Sequence, residues 1–111
     1  MIDQTMVVTV AGNTIYGDVT MDLRKYHAGA IQLPSTHTGG IGFVVGGFHA
    51  LDMSNIGVDN SLNLLTVNHM MGSINMYPLP SPLFSNSYAM IYQSGPITPT
   101  NPLTYYITLK E

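Results

Sequence analysis

The chain has 111 residues, a formal net charge of −3 and only 8% charged residues, whereas an average soluble domain has about 25%. Three Lys or Arg side chains cannot neutralise a nucleic-acid backbone or form a polybasic membrane patch, so neither partner is expected. Between Lys25 and Lys110 the only charged side chains are Asp52 and Asp59. Because mixed charges normally keep a monomer's surface wet, this composition predicts a surface that is covered by other chains.

The length fits one domain, and we treat residues 1–111 as a single unit without internal repeats. No cysteine is present, which excludes disulfides and thiolate metal sites. The longest apolar stretch, 41–51, is too short to span a bilayer. Residues 1–4 contain neither a basic nor an apolar region, so we expect no secretory signal there.

Apolar and polar residues alternate with period two from the start of the chain, which is typical of strands with one buried face. In 5–10, Met6, Val8 and Val10 share a face, and 11–13 has the Gly-Asn chemistry of a turn. The run 18–23 alternates in the same way. Residues 23–28 are the only candidate for a helix, of one or two turns; the competing interpretation is that this segment continues a strand into a loop.

The same pattern continues to the end of the chain. Further strands are predicted over 30–33, 41–48, 62–67, 73–77, 88–93 and 103–110. In the last of these, Tyr105 and Tyr106 point to opposite faces. The Pro-rich stretches 78–82 and 96–102 are predicted to be extended connections or sheet edges. Together these elements predict an all-β fold, an antiparallel β-sandwich.

The histidines are candidates for metal ligands or general bases, because imidazole serves both roles. His27, His37, His49 and His69 show no compact ligand spacing. Two sets stay open as folded metal sites: His37, His49 and Asp52, and an oxygen-rich calcium site from Asp52, Asn55, Asp59 and Asn60. We prefer the interpretation that these residues lie in loops, turns and contacts, and we expect no metal and no cofactor.

The motifs of common enzymes are missing. The Gly-rich segment 38–48 lacks the Gly-Lys-Ser/Thr of a phosphate-binding loop and does not open a helix, so we interpret it as a strand whose glycines permit a bulge or close packing. No Gly-x-Ser-x-Gly elbow occurs. Asp18 and Asp22 fit a solvated strand face better than an acid pair. We therefore expect a protein that is not an enzyme.

Aromatic and Met side chains are the best candidates for contacts with a partner, since interfaces are enriched in them. Seven of the ten aromatic residues are Tyr, and eight Met are present. The candidate interface residues are Tyr26, Phe43, Phe48, Met70, Met71, Tyr77, Phe84 and Tyr106. The Pro-rich stretches are candidate stiff arms that dock on neighbours.

Three segments, 30–34, 41–48 and 103–110, are typical of a cysteine-free, nearly uncharged β-domain whose turns are rich in Thr, Asn and Gly. In this the chain resembles small virion structural proteins of tailed bacteriophages, namely capsid decoration or cement proteins and the β-domains of tails and fibres. The resemblance includes no specific motif, so no functional residue is carried over. It implies a β-sandwich or jelly roll, repeated copies and no catalysis.

These observations lead to one expected function and one alternative. The expected function is a structural subunit located in a virion, with copies of itself and neighbouring capsid or tail proteins as partners. The alternative is a carbohydrate-binding or adhesion module that uses Tyr, Asn and Asp in its loops.

Overall fold

A computed structural model of the chain describes residues 3–34, 40–46, 56–57, 64–68, 76–94 and 98–111. Within these residues the regular elements are eight strands and one short 3₁₀ helix, Ser81–Ser85. The strands are β1 Asp3–Val10, β2 Met21–Asp22, β3 Ala28–Gln32, β4 Gly40–Gly46, β5 Thr66–Asn68, β6 Met76–Pro78, β7 Tyr88–Gln93 and β8 Leu103–Lys110. Each lies at or within a predicted strand, give or take a few residues, and the predicted all-β class is confirmed.

The strands form two four-stranded antiparallel sheets. Sheet A has the order β1-β8-β3-β6, and sheet B has the order β2-β7-β4-β5. The first strand therefore pairs with the last, the second with the seventh, the third with the sixth and the fourth with the fifth. This is one long hairpin folded over itself into two sheets, the arrangement of an eight-stranded jelly roll. The predicted antiparallel β-sandwich of jelly-roll type is confirmed.

The core lies between the sheets and follows the alternation read in the sequence. In β8, Leu103, Tyr105, Ile107 and Leu109 are buried, while Tyr106 on the opposite face is exposed. The core consists of apolar side chains from both sheets and their connections: Val8, Val10, Met21, Leu23, Ile31, Leu33, Ile41, Phe43, Leu65, Val67, Leu79, Leu83, Ala89, Ile91, Leu103, Tyr105, Ile107 and Leu109.

The two sheets differ on their outer sides. In sheet B, Val44 of β4 and Met90 of β7 lie opposite each other, on the side away from the core cluster. Both are nevertheless buried. The outer side of sheet A has no such buried apolar pair, because the side chains that β1 and β8 place there are exposed or half-buried.

Of the two interpretations of 23–28, the short helix is wrong, and the continuation of a strand into a loop is confirmed. Leu23 keeps the inward alternation of β2 and donates its N–H to the Ser87 carbonyl at 2.8 Å. The Asp22 carboxylate then accepts the Arg24 N–H at 3.1 Å, and Tyr26 N–H closes a single turn on the Leu23 carbonyl. Six residues contribute too few hydrogen bonds to offset helix nucleation, so a turn leads directly into β3.

The turn predicted at 11–13 is confirmed, and it contacts residues 99–100, which precede the last strand. Asn13 has a positive φ of 64°, a conformation that Asn tolerates. Its N–H donates to the Pro99 carbonyl at 2.8 Å, and a side chain at Gly12 would overlap the Thr100 carbonyl. The described part of the stretch 96–102 is thus packed against its own chain.

The other Pro-rich stretch, 78–82, has two structures instead of one. Pro78 ends the edge strand β6 as predicted. Pro82, however, lies in the first turn of the 3₁₀ helix. Proline is tolerated there because backbone N–H groups in a first turn have no acceptor within the helix.

The buried face of β8 predicts a large cost for removing a core side chain. Ile107→Ala should lower the free energy of unfolding by about 2–5 kcal/mol, because the cavity adds to the lost burial. Its neighbour Thr108 faces outward, so Thr108→Ala should cost less than about 1 kcal/mol. Urea denaturation of both variants checks this. Equal losses would contradict the assignment of faces.

Candidate interaction surface

The outer face of sheet A is described for all four of its strands, β1, β8, β3 and β6. The registers of the strands place one residue from each of the four strands in a single line: Val7 of β1, Tyr106 of β8, Gln32 of β3 and Met76 of β6. We call this line the central row. Three of its four side chains are large and exposed, Val7 at 53%, Tyr106 at 46% and Met76 at 46%.

A second line of residues lies beside the central row. It contains Thr5, Thr108, Ala30 and Pro78, and the hydroxyls of Thr5 and Thr108 are 3.2 Å apart in a hydrogen bond. On the other side of the central row lies the pair Thr9 and Thr104. The central row, this second line and the Thr9–Thr104 pair together form what we call the outer-face patch.

The outer-face patch contains no Asp, Glu, Lys, Arg or His. The nearest charges lie at its margins: Asp18 accepts the Thr9 N–H at 2.9 Å, and Asp3 and Lys110 lie opposite each other in the next register position at one end of the sheet. Cores of protein interfaces are depleted of charge and enriched in Tyr and Met. The arrangement can therefore bury apolar area against a partner without desolvating an ion, a step that costs several kcal/mol per charge.

Of the residues predicted as interface residues, Tyr106 lies at the centre of the outer-face patch. The sequence reasoning missed Val7, Gln32 and Met76. A signal for Val7 existed, since it is a β-branched apolar residue on the otherwise polar face of the strand 5–10. No comparable signal marked Met76, because only the register with β3 brings it into the row.

Three other predicted residues, Tyr26, Tyr77 and Phe84, are half-buried and pack against the core of their own chain. The Tyr26 hydroxyl also donates to the Gln4 side-chain oxygen at 2.6 Å. The prediction for Phe43 needs correction: it is fully buried in the core, because it lies on the inward face of β4. Phe48, Met70 and Met71 lie outside the described residues.

The outer side of sheet B has an aromatic pair at one end. Tyr16 bridges to Tyr92 of β7, and Tyr92 lies opposite Gly42 of β4. The two rings are 6.3 Å apart between centroids and tilted by 56°. A methyl group on Gly42 would overlap the Tyr92 ring, so the glycine lets this ring lie flat against the sheet. Tyr16 is 40% exposed.

A charged cluster lies at the turn after β2. Arg24 binds the Asp22 carboxylate through two nitrogens, at 2.9 and 2.7 Å. Its guanidinium carbon also lies 5.3 Å from the centroid of the Tyr88 ring. The hydrogen bonds from Arg24 lower the pKa of Asp22 to about 2, and the carboxylate in turn raises the pKa of Arg24. The pair is exposed to solvent, so it orders the turn more than it stabilises the fold.

The metal sites left open by the sequence cannot be placed. His37, His49, Asp52, Asn55, Asp59 and Asn60 all lie outside the described residues. Among the residues that the structure describes, no group of three His, Cys, Asp or Glu is arranged to hold a metal ion. Asp18, considered from the sequence as one member of an acid pair, instead accepts the Thr9 N–H through its carboxylate at 2.9 Å. The same part of the chain contains no helix long and apolar enough to cross a membrane.

Comparison of the chain with protein-family models, curated proteins and solved structures finds no match.

The contact between Asp22 and Arg24 predicts a titration that NMR can follow. The Asp22 carboxyl should titrate with a pKa of about 2, well below its ordinary 3.8. Because the pKa is lowered on folding, the stabilising effect of the pair is full above about pH 4 and is lost as the pH falls toward 2. Arg24→Gln should return the pKa of Asp22 toward 3.8. The control Lys25→Gln should change it little, since Lys25 is the smallest cause of the shift. An unchanged pKa in Arg24→Gln would contradict the contact.

Proposed function

We propose that this protein is a non-enzymatic structural subunit of a virus particle, of the kind that decorates or cements the capsid or tail of a tailed phage. Its partners are copies of itself and neighbouring virion proteins. The observation that carries the proposal is the outer-face patch, in which consecutive rows across a whole sheet contain no charge. The part played by the protein is mechanical: it covers and stiffens a surface by burying this patch against it.

The chemistry of the patch suits association rather than catalysis. Its apolar side chains, such as Val7 and Met76, gain about 25 cal/mol for each Å² that a partner covers. The Thr hydroxyls can donate and accept, so they can be satisfied by many different surfaces. No group in the patch is a general base or an activated nucleophile.

The size of the patch favours a subunit that acts in many copies. Its ten residues, in rows about 7 Å apart on strands about 4.8 Å apart, cover about 330 Å². A stable two-protein interface needs about 800 Å² on each partner. One patch alone would hold a partner weakly, whereas repeated patches on a particle add their binding through high effective concentration.

The fold agrees with the proposal without deciding it. Eight-stranded jelly rolls occur in viral capsid proteins, in lectins and in other proteins, and a fold by itself does not define a function. The nearly uncharged composition favours the capsid or tail role, because a subunit in a particle shares its surface with neighbours. The resemblance to phage virion proteins points in the same direction.

The proposal is tested on particles from a culture that carries the gene for this chain. After nuclease treatment, particles are banded in a density gradient, and the chain is sought in the band by mass spectrometry. We expect it to band with the nuclease-protected particles. If it stays at the top of the gradient while particles band below, the virion proposal is wrong.

A matched pair of variants then tests the patch itself. Particles stripped of the chain are incubated with purified wild type, Tyr106→Lys or Tyr16→Lys. Both substitutions replace an exposed tyrosine, but only Tyr106 lies in the patch. Tyr106→Lys should weaken rebinding at least tenfold because the ammonium must be desolvated, and Tyr16→Lys should leave it unchanged. Equal rebinding of both variants would contradict a role for the patch.

The alternative, a carbohydrate-binding module, is favoured by one observation. The tilted pair of Tyr16 and Tyr92 beside Gly42 offers aromatic faces, and the C–H groups of a sugar ring pack well on such faces. A glycan array probed with the purified chain tests this function. For a glycan that the wild type binds, Tyr92→Ala should lower the affinity at least tenfold, whereas Tyr106→Ala should leave the affinity unchanged. An array without binding excludes the alternative for the glycans it displays.

A further inference from the structure

One sheet edge of this fold differs from the other three. The edge strands are β1 and β6 in sheet A, and β2 and β5 in sheet B. Over the described residues, β2 has two residues and β5 and β6 have three each, and β6 also ends in Pro78, which has no N–H to donate. Strand β1 has eight residues in an unbroken ladder with β8 and contains neither Pro nor Gly. Natural edges are usually protected by shortness, Pro, bulges or charge, and β1 has a single charged residue, Asp3.

The hydrogen-bonding direction of each residue in β1 can be read from Thr9. Its N–H donates to the Asp18 carboxylate and its carbonyl accepts the Asp18 N–H at 3.1 Å, so both groups point away from β8. Because directions alternate along an antiparallel strand, the backbone groups of Val7, Thr5 and Asp3 point to the same edge. Within the described part of the chain, the segment at Gly17 and Asp18 covers only the Thr9–Val10 end.

We propose that this edge, residues 3–7 of β1, pairs with the same edge of a second copy of the chain. The two strands run antiparallel about a two-fold axis at Thr5, and the two sheets A join into one eight-stranded sheet. This goes beyond the proposed function, because a carbohydrate-binding module could form the same dimer.

The edge is complementary to itself in this register. Thr5 lies opposite Thr5 of the second copy, and Asp3 lies opposite Val7, so that each facing pair exchanges two backbone hydrogen bonds. The two Asp3 carboxylates are then about 14 Å apart along the strands, beyond the Debye length of about 8 Å at physiological salt. Parallel pairing would instead place them side by side, where they repel.

Side chains on both faces of β1 gain from the pairing. On the inner face, Met6 packs against the core but is only partly buried. In the dimer, Gln4 of the second copy lies opposite this Met6, and Met6 of the second copy lies diagonally across from it. On the outer face, the two outer-face patches become neighbours on one sheet. Together they cover about 650 Å², which approaches the roughly 800 Å² that a stable interface needs on one partner. The dimer thus presents to a third protein a surface that a single chain lacks.

Hydrogen exchange of the wild-type chain tests the pairing residue by residue. In a single chain, the amides of Met6 and Val8 are bonded to β8 and that of Thr9 is bonded to Asp18, whereas those of Thr5 and Val7 point to the edge and have no partner among the described residues. In the proposed dimer, Thr5 and Val7 are protected as well, more strongly at higher protein concentration, and light scattering gives the mass of two chains. Fast exchange at Thr5 and Val7 with slow exchange at Thr9 would falsify the proposal, as would the mass of one chain.

Two substitutions at one position separate the backbone from the side chain. Thr5→Pro removes the N–H that points to the edge and leaves the bonds of Gln4 and Met6 to β8 in place, so dimerisation should weaken at least tenfold. Thr5→Val keeps the N–H and should leave it unchanged. Circular dichroism verifies that both variants fold, and should Thr5→Pro fail to fold, the exchange pattern of the wild type decides alone. A dimer that survives in folded Thr5→Pro overturns the proposal.

The result is independent of the virion test. Tyr106→Lys alters the outer-face patch and leaves the β1 edge intact, so it should lower binding to particles while the mass in solution stays that of two chains.

Discussion

The ladder between β1 and β8 is the interaction on which the rest of this structure depends. It joins the two strands that are most distant in sequence over eight residue pairs, and it closes the long hairpin whose folding produces both sheets. β8 also pairs with β3, so it lies inside sheet A and its apolar residues form one wall of the core. Such a contact is costly in chain entropy, and the buried row from Leu103 to Leu109 offsets that cost.

The same ladder determines both surfaces that we propose for association. Side chains and backbone groups alternate along a strand with the same period. Each odd-numbered residue of β1 therefore presents its side chain to the outer face and its N–H to the free edge. This coupling places Val7 in the central row and on the edge at once. It also means that a substitution with proline acts on the edge, whereas a charge placed on β8 acts on the face.

No charged side chain lies in the outer-face patch itself, although Asp3 belongs to the β1 edge and Asp18 accepts the Thr9 N–H beside the patch. Asp3 and Lys110 lie at one end of sheet A, and Asp22, Arg24 and Lys25 lie at the turn between β2 and β3. A bidentate contact and an aromatic ring hold Arg24 within its own chain. The middle of sheet A thus contains no charged side chain whose desolvation would oppose burial. This is how the low charge of the sequence affects the structure.

The sequence by itself determined which segments are strands and, in the alternating strands β1, β2 and β8, which residues face inward, because a period of two is a local property that can be read residue by residue. It also determined the turn at Asn13 and the near absence of charge. Only the tertiary structure decided which strands are neighbours, and so brought Val7 and Met76 into line with Tyr106 and enclosed Phe43 in the core. It also decided that a turn, and not a helix, leads from β2 to β3, since these two strands belong to different sheets. Alternation separates two faces of a strand but does not say which neighbour covers either one; that depends on pairings between residues far apart in the chain.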